Sequence, residues 1–160
     1  MLYENYLSEN IKFFRQKEDI SIIKFSYKCE VSKFVLSNIE ERKTLDPSIS
    51  SVIGIAKAME VSVDDLVNKN FKEGEINNVN VDNMTTENKS WKLAENVNNF
   101  IESKNLENTD VAKLFNITDT TVVSLRFKRK TSSRLFQIQR IAKAMNITLD
   151  ELLFKEMEFN

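Results

Sequence analysis

Residues Ile55–Val67 read IAKAMEVSVDDLV, and residues Ile141–Leu153 read IAKAMNITLDELL. Each phrase opens on an apolar run at helical spacing and passes one polar residue. Each then resumes with a hydroxyl three residues ahead of an acid, Ser62 with Asp65 and Thr148 with Glu151. That pair can satisfy free N–H groups at a helix start, so both phrases predict a helix end, a short turn and a short capped helix. The shift of 86 residues between them extends upstream without a gap, aligning Asn10–Val67 with Asn96–Leu153. Only nine of the 58 pairs are identical: Asn10/Asn96, Phe14/Phe100, the five of IAKAM, Asp64/Asp150 and Leu66/Leu152. Apolar character agrees far better, as in Ile11 with Val97, Phe25 with Val111, Leu36 with Val122, Ile39 with Leu125 and Val52 with Ile138. A shared core pattern under a divergent surface indicates two copies of one fold.

Composition sets the class. The 160 residues contain two Gly and one Pro, too few for a chain built on hairpins and tight turns, so an all-α fold is expected. There is no His and a single cysteine, Cys29, which leaves no disulfide framework, no HExxH motif and no Cys–His pair. Two glycines cannot write a phosphate-binding loop. An enzyme reading therefore has no positive support, and no cofactor or metal is expected. The chain has no apolar run of the ~18 residues a membrane span needs. Its start, MLYENYLSEN, has no basic region followed by an apolar one. A soluble cytoplasmic protein is the expectation.

Within the first copy, ENIKFFRQKE gives helix one, with Ile11, Phe13 and Phe14 apolar. Ser21 is the expected cap of a second helix over IIKFSYKC, and Ser32 of a third over KFVLSNIEER. Asp46 before Pro47 predicts the cap of helix four, which runs through SISSVIGIAKAM. Helix five is VDDLVN. Residues 71–90, FKEGEINNVNVDNMTTENKS, are polar and read as a linker, with a short strand at VNVDN as the alternative. The expected organisation is thus one domain over 1–70, a linker over 71–90 and a second domain over 91–160.

The segments 22–41 and 108–127 carry a further pattern: a small residue in the second helix (Ser26, Ala112), a turn, then Val31-Ser32 or Ile117-Thr118 opening the third helix. With the closing phrases, this resembles the XRE-type, lambda-repressor-like helix-turn-helix family, twice over. The resemblance covers about 58 residues of each half. It implies two tandem five-helix domains and a sequence-specific regulator of transcription, a repressor of the kind common on mobile elements, bound to double-stranded DNA. In the first copy the implied contacts are Ser32, Lys33, Phe34, Ser37 and Asn38, with Arg42 and Lys43 near phosphates. Asn38 suits adenine and Lys33 guanine. In the second copy they are Asn108, Thr118, Asp119, Thr120, Thr121 and Ser124. The basic run Arg126, Lys128, Arg129, Lys130 and Arg134 follows, suited to phosphates.

Several residues depart from that pattern. Net charge is −1, and only the second copy is net positive. Where the family often has Gln at the start of helix two, this chain has Ile22 or Asn108. Where it has a turn Gly, this chain has Glu30 or Asn116. Glu tolerates a left-handed backbone poorly, so Glu30 predicts an altered turn in the first copy. Ile22 and Ile23 sit where polar residues are usual, and Phe34 reads equally as a thymine contact or a packing residue. A second reading therefore stays open: a protein-interaction module on the same scaffold (antirepressor, inhibitor or antitoxin-like), with its partner on the first copy. Two half-sites could be read by one chain across a flexible linker, or by a homodimer joined through the tail FKEMEFN, where Phe154, Met157 and Phe159 need cover.

Overall fold

The structure, a computed structural model, describes residues 5–87, 92–127 and 133–160. The chain divides into two compact units, Met1–Thr86 and Glu87–Asn160. Among the described residues all regular structure is helical. Unit one holds α1 (Leu7–Lys17), α2 (Ile22–Cys29), α3 (Lys33–Glu40), α4 (Ile49–Met59) and α5 (Val63–Asn68). Unit two holds α6 (Leu93–Lys104), α7 (Asn108–Phe115), α8 (Asp119–Arg126), α9 (Leu135–Met145) and α10 (Leu149–Phe154). In unit one α1 packs on α3 and α5, α2 on α3 and α4, and α4 on α5. The corresponding helices of unit two make the same five pairings. No helix among the described residues is long and apolar enough to cross a membrane.

The cores follow the matched apolar positions. Phe25, Leu36, Ile39, Ile49, Val52 and Leu66 are buried in unit one, and Val111, Val122, Leu125, Leu135, Ile138 and Leu152 at the same places in unit two. Of the identical polar pairs, Asn10/Asn96 is buried as well, and its hydrogen bonds explain it. The Asn10 amide nitrogen donates to the carbonyls of Leu66 (2.8 Å) and Lys69 (2.7 Å), and its oxygen accepts from the Phe71 N–H (3.0 Å). Asn96 repeats this on Leu152 (2.9 Å), Lys155 (2.8 Å) and the Met157 N–H (2.9 Å). Each Asn closes the last helix of its unit, whose end carbonyls have no partner within the helix. The chain beyond that helix is turned back over the first one.

Several expectations need revision. The turn at Glu30 is not altered: Glu30 (φ 55°) and Asn116 (φ 53°) both adopt the left-handed conformation. The same holds for Glu60 with Asn146 and Asp19 with Asn105. Helix α4 is capped by Ser48, which accepts from the Ser51 N–H at 3.3 Å, and not by Asp46, because Pro47 lies just outside the helix. The capping box is complete in unit two, where Glu151 accepts from the Thr148 N–H at 2.9 Å. In unit one Ser62 still caps the Asp65 N–H, but the shorter Asp65 carboxylate pairs with Lys69 at 2.9 Å. No strand forms at VNVDN. Instead the Val79 N–H donates to the Glu60 carbonyl (2.9 Å), and Phe71 and Met84 are buried, so this part of the expected linker packs on unit one. The apolar tail finds cover within its own unit: Phe159 meets the Phe100 ring edge-on at 5.4 Å, and Asn99 donates to the Met157 carbonyl.

Candidate nucleic-acid interface

In each unit a short helix follows a left-handed turn and opens on a hydroxyl cap. Ser32 accepts from the Val35 N–H, and Thr118 from the Thr121 N–H, both at 3.2 Å. Both turns also route the next N–H back: Val31 donates to the Ser26 carbonyl and Ile117 to that of Ala112. Ser26 and Ala112 are buried, so small side chains at these places let the two helices close on each other. The inward faces are fixed by Leu36 and Ile39 in α3 and by Val122 and Leu125 in α8. Helix periodicity then turns the first residues of each helix outward.

On α3, Ser32, Lys33 and Phe34 are exposed, while Ser37 and Asn38 are half-buried. The Ser37 hydroxyl donates to the Glu41 carboxylate at 3.2 Å. The Asn38 carbonyl accepts from the Lys43 and Thr44 N–H groups, which closes the helix end. Lys43 pairs with Glu41 at 2.5 Å, and this ion pair, with the Ser37 bond, holds the Glu41 carboxyl below its usual range. Arg42 has φ 58° and pairs with Glu9 of α1. Both cations expected at phosphates are thus already faced by carboxylates.

On α8, Thr118, Asp119 and Thr120 are exposed, and Thr121 and Ser124 half-buried. The Thr118 and Thr121 hydroxyls lie 2.8 Å apart. Arg126 is engaged inward. Its Nε donates to the Asn98 side chain at 2.8 Å and one terminal nitrogen to Asn108 at 2.7 Å, while Asn98 donates back to the Arg126 carbonyl. Two of the expected contact residues, Asn108 and Arg126, therefore bond each other and tie α6, α7 and α8 together. Lys128, Arg129 and Lys130 lie outside the described residues.

The position of Arg126 corresponds to Glu40 in unit one, which is buried and also ties helices. Arg15 of α1 grips its carboxylate through two bonds (2.8 and 2.5 Å), and the Ser8 hydroxyl donates to its carbonyl. The carboxylate raises the Arg15 guanidinium pKa further, chiefly through this hydrogen bond. One site in the repeat thus carries opposite charges with the same structural task. A charge-reversed pair of this kind is invisible when apolar positions alone are aligned. Cys29, at the place of Phe115, is buried, and burial pushes its thiol up to about 12.

No protein-family model, curated protein or solved structure significantly matches this chain.

Proposed function

We propose that this chain is a double-stranded DNA-binding regulator of transcription, built from two tandem helix-turn-helix domains of the XRE type, with the second domain as its main DNA head. The observation that carries this is the α7–α8 pair. Its second helix begins on a hydroxyl cap, exposes Asp119 and Thr120 on its first turn, and runs in sequence into Lys128, Arg129 and Lys130. A helix so capped can lie in a major groove with its first turns at base edges. Its cationic extension would neutralise the phosphates alongside. Because Arg126 serves the domain's own structure, the phosphate contacts fall to the three cations after it. Replacing Lys128, Arg129 and Lys130 by Ala should weaken duplex binding and flatten its salt slope by about 2–3, as counterion release requires. Fluorescence anisotropy at several salt concentrations tests this. Equal slopes for wild type and the triple variant would remove these cations from the interface.

A second reading concerns unit one. Ile23, Tyr27, Phe34 and Leu45 are its prominent exposed apolar side chains, and Arg42 and Lys43 are compensated by acids. These features favour a protein contact on the first unit, beside or in place of a second DNA contact.

A further inference from the structure

The repeat supplies an internal control for these exposed residues. Ile23, Tyr27 and Phe34 are 49%, 80% and 75% exposed. At the corresponding positions unit two has Thr109, Lys113 and Thr120, all exposed, and its α7 exposes one large apolar side chain, Leu114, at the place of Lys28. The same helix pairing is therefore built with polar residues at all three places, so the fold does not require apolar ones. Exposed large apolar groups that packing does not need mark a surface with another use.

The face has a definite pattern. On α2, Phe25, Ser26 and Cys29 point inward. Ile23 and Tyr27, one helical turn apart, form an exposed apolar stripe, and Lys24 and Lys28 form an exposed cationic stripe next to it. Lys33 adds a third exposed cation at the start of α3. Helix α2 carries no acid, and Glu30 is the acid just beyond it. Among the described residues, the ion pairs of this unit (Arg15–Glu40, Arg42–Glu9, Lys43–Glu41 and Lys69–Asp65) involve none of these three lysines. Lys28 keeps its ammonium 5.7 Å from the Phe14 ring centre, which leaves its charge at the surface.

We propose that the outer face of α2 is a docking site for an acidic amphipathic helix of a protein partner. The partner's apolar stripe would cover Ile23 and Tyr27, and its carboxylates would meet Lys24, Lys28 and Lys33. The charge pattern selects this occupant. A second copy of the chain meeting this face with its own α2 would set lysines against lysines, which opposes a symmetric pairing. The proposal deepens the second reading above and does not depend on DNA binding by unit two. Neither Ile23 nor Tyr27 is among the residues assigned to DNA.

The test uses the full chain and two fluorescent 16-residue peptides. One has Leu and Phe at helical a, d and e positions with Glu elsewhere; the other has Lys in place of every Glu. A labelled twelve-residue oligothymidine and a duplex serve as further probes. The variants are Ile23→Thr/Tyr27→Lys, which installs what unit two already carries, and Lys24→Glu/Lys28→Glu. The acidic peptide should bind the wild type at least tenfold more tightly than the lysine peptide. Each double variant should lose at least tenfold in that affinity, with unchanged melting temperature. Failure of the acidic peptide to bind, or equal binding by the variants, would overturn the proposal. Tighter binding of oligothymidine through Tyr27 would overturn it too, since stacking on bases would then explain the exposed ring. Duplex binding, read separately, keeps the fate of the DNA reading distinct.

Discussion

At the scale of single residues, the buried Asn pair is the most informative. Asn96 donates to three carbonyls at the end of α10, with Glu151 (3.2 Å) as the third beside Leu152 and Lys155, and accepts one N–H. Removing the side chain takes this donor from the buried Leu152 carbonyl and these partners from the part-buried Lys155 carbonyl and Met157 N–H, while the Glu151 carbonyl keeps the Lys155 N–H. Asn96→Ala should therefore destabilise unit two by roughly 2–4 kcal/mol, read from urea unfolding by circular dichroism. A loss below about 0.5 kcal/mol would contradict the latch. The sequence marked this site, because Asn10 and Asn96 are the one identical polar pair at the front of the repeat, but it did not say what they hold. Their partners lie 55 to 61 residues downstream, beyond the reach of local patterns. The left-handed residues give the opposite lesson. Among the described residues unit two has Asn at its three left-handed positions, where unit one has Asp19, Glu30 and Glu60 and, in addition, Arg42. The helix-ending bonds from the Val31 N–H to the Ser26 carbonyl and from the Val61 N–H to the Ala56 carbonyl accompany the glutamates in a conformation they disfavour. The pair Glu30→Asn/Glu60→Asn should raise the stability of unit one by about 1 kcal/mol, since Asn visits that region more readily. No gain would mean the turns are not strained.

At the scale of elements, α2 and α4 approach closely at Gly54. A Cβ added at Gly54 would lie 2.4 Å from the Cys29 carbonyl oxygen. Helix propensity alone would favour Ala there by ~1 kcal/mol. Overpacking against backbone should outweigh it, so Gly54→Ala is expected to destabilise unit one by about 1–3 kcal/mol. A stabilised variant would refute the close packing. The place of Gly54 is taken by Arg140 in unit two, so α7 and α9 must leave room that α2 and α4 do not. Cys29 lies in the same contact and, as the single cysteine, reports on unit one alone. Its thiol titrates near 12 when folded, above its ordinary value of 9.0. The unfolded thiol therefore ionises first, and stability present below pH 9.0 declines between there and about pH 12. Native Cys29 should resist iodoacetamide at pH 8, with a labelling rate that rises with urea in step with unfolding of unit one. Rapid labelling without urea would contradict its burial. Helix order and most caps were legible from the spacing of apolar residues and hydroxyls. Two details were not: the shift of the α4 cap from Asp46 to Ser48, and the half-formed box at Ser62. Both turn on one residue or one methylene, which patterns do not resolve.

At the scale of the whole molecule, two units with one set of helix pairings carry different outer surfaces. Unit one shows Ile23, Tyr27 and Phe34 where unit two shows Thr109, Lys113 and Thr120. The basic run follows α8 and has only Arg42 and Lys43, each facing an acid, as its described counterpart in unit one. The sequence made this contrast visible as a list of departures from a pattern. It could not say which cations were already engaged, because Arg126 with Asn98 and Arg42 with Glu9 are joined across 28 and 33 residues. Divergence of this kind fits a division of labour, DNA through the second unit and a partner through the first. Arg126→Ala should accordingly lower the melting temperature of unit two as well as any duplex affinity. The Lys128/Arg129/Lys130→Ala variant should leave stability within about 0.5 kcal/mol of wild type.

The most direct measurement is anisotropy of a labelled duplex from upstream of the chain's own coding region, against random duplex, at 50 and 200 mM salt. Binding should prefer the upstream duplex, weaken at least tenfold over that salt range, and drop at least tenfold more in the Lys128/Arg129/Lys130→Ala variant. Absence of duplex binding at 50 mM salt, or binding indifferent to the triple substitution, would contradict it.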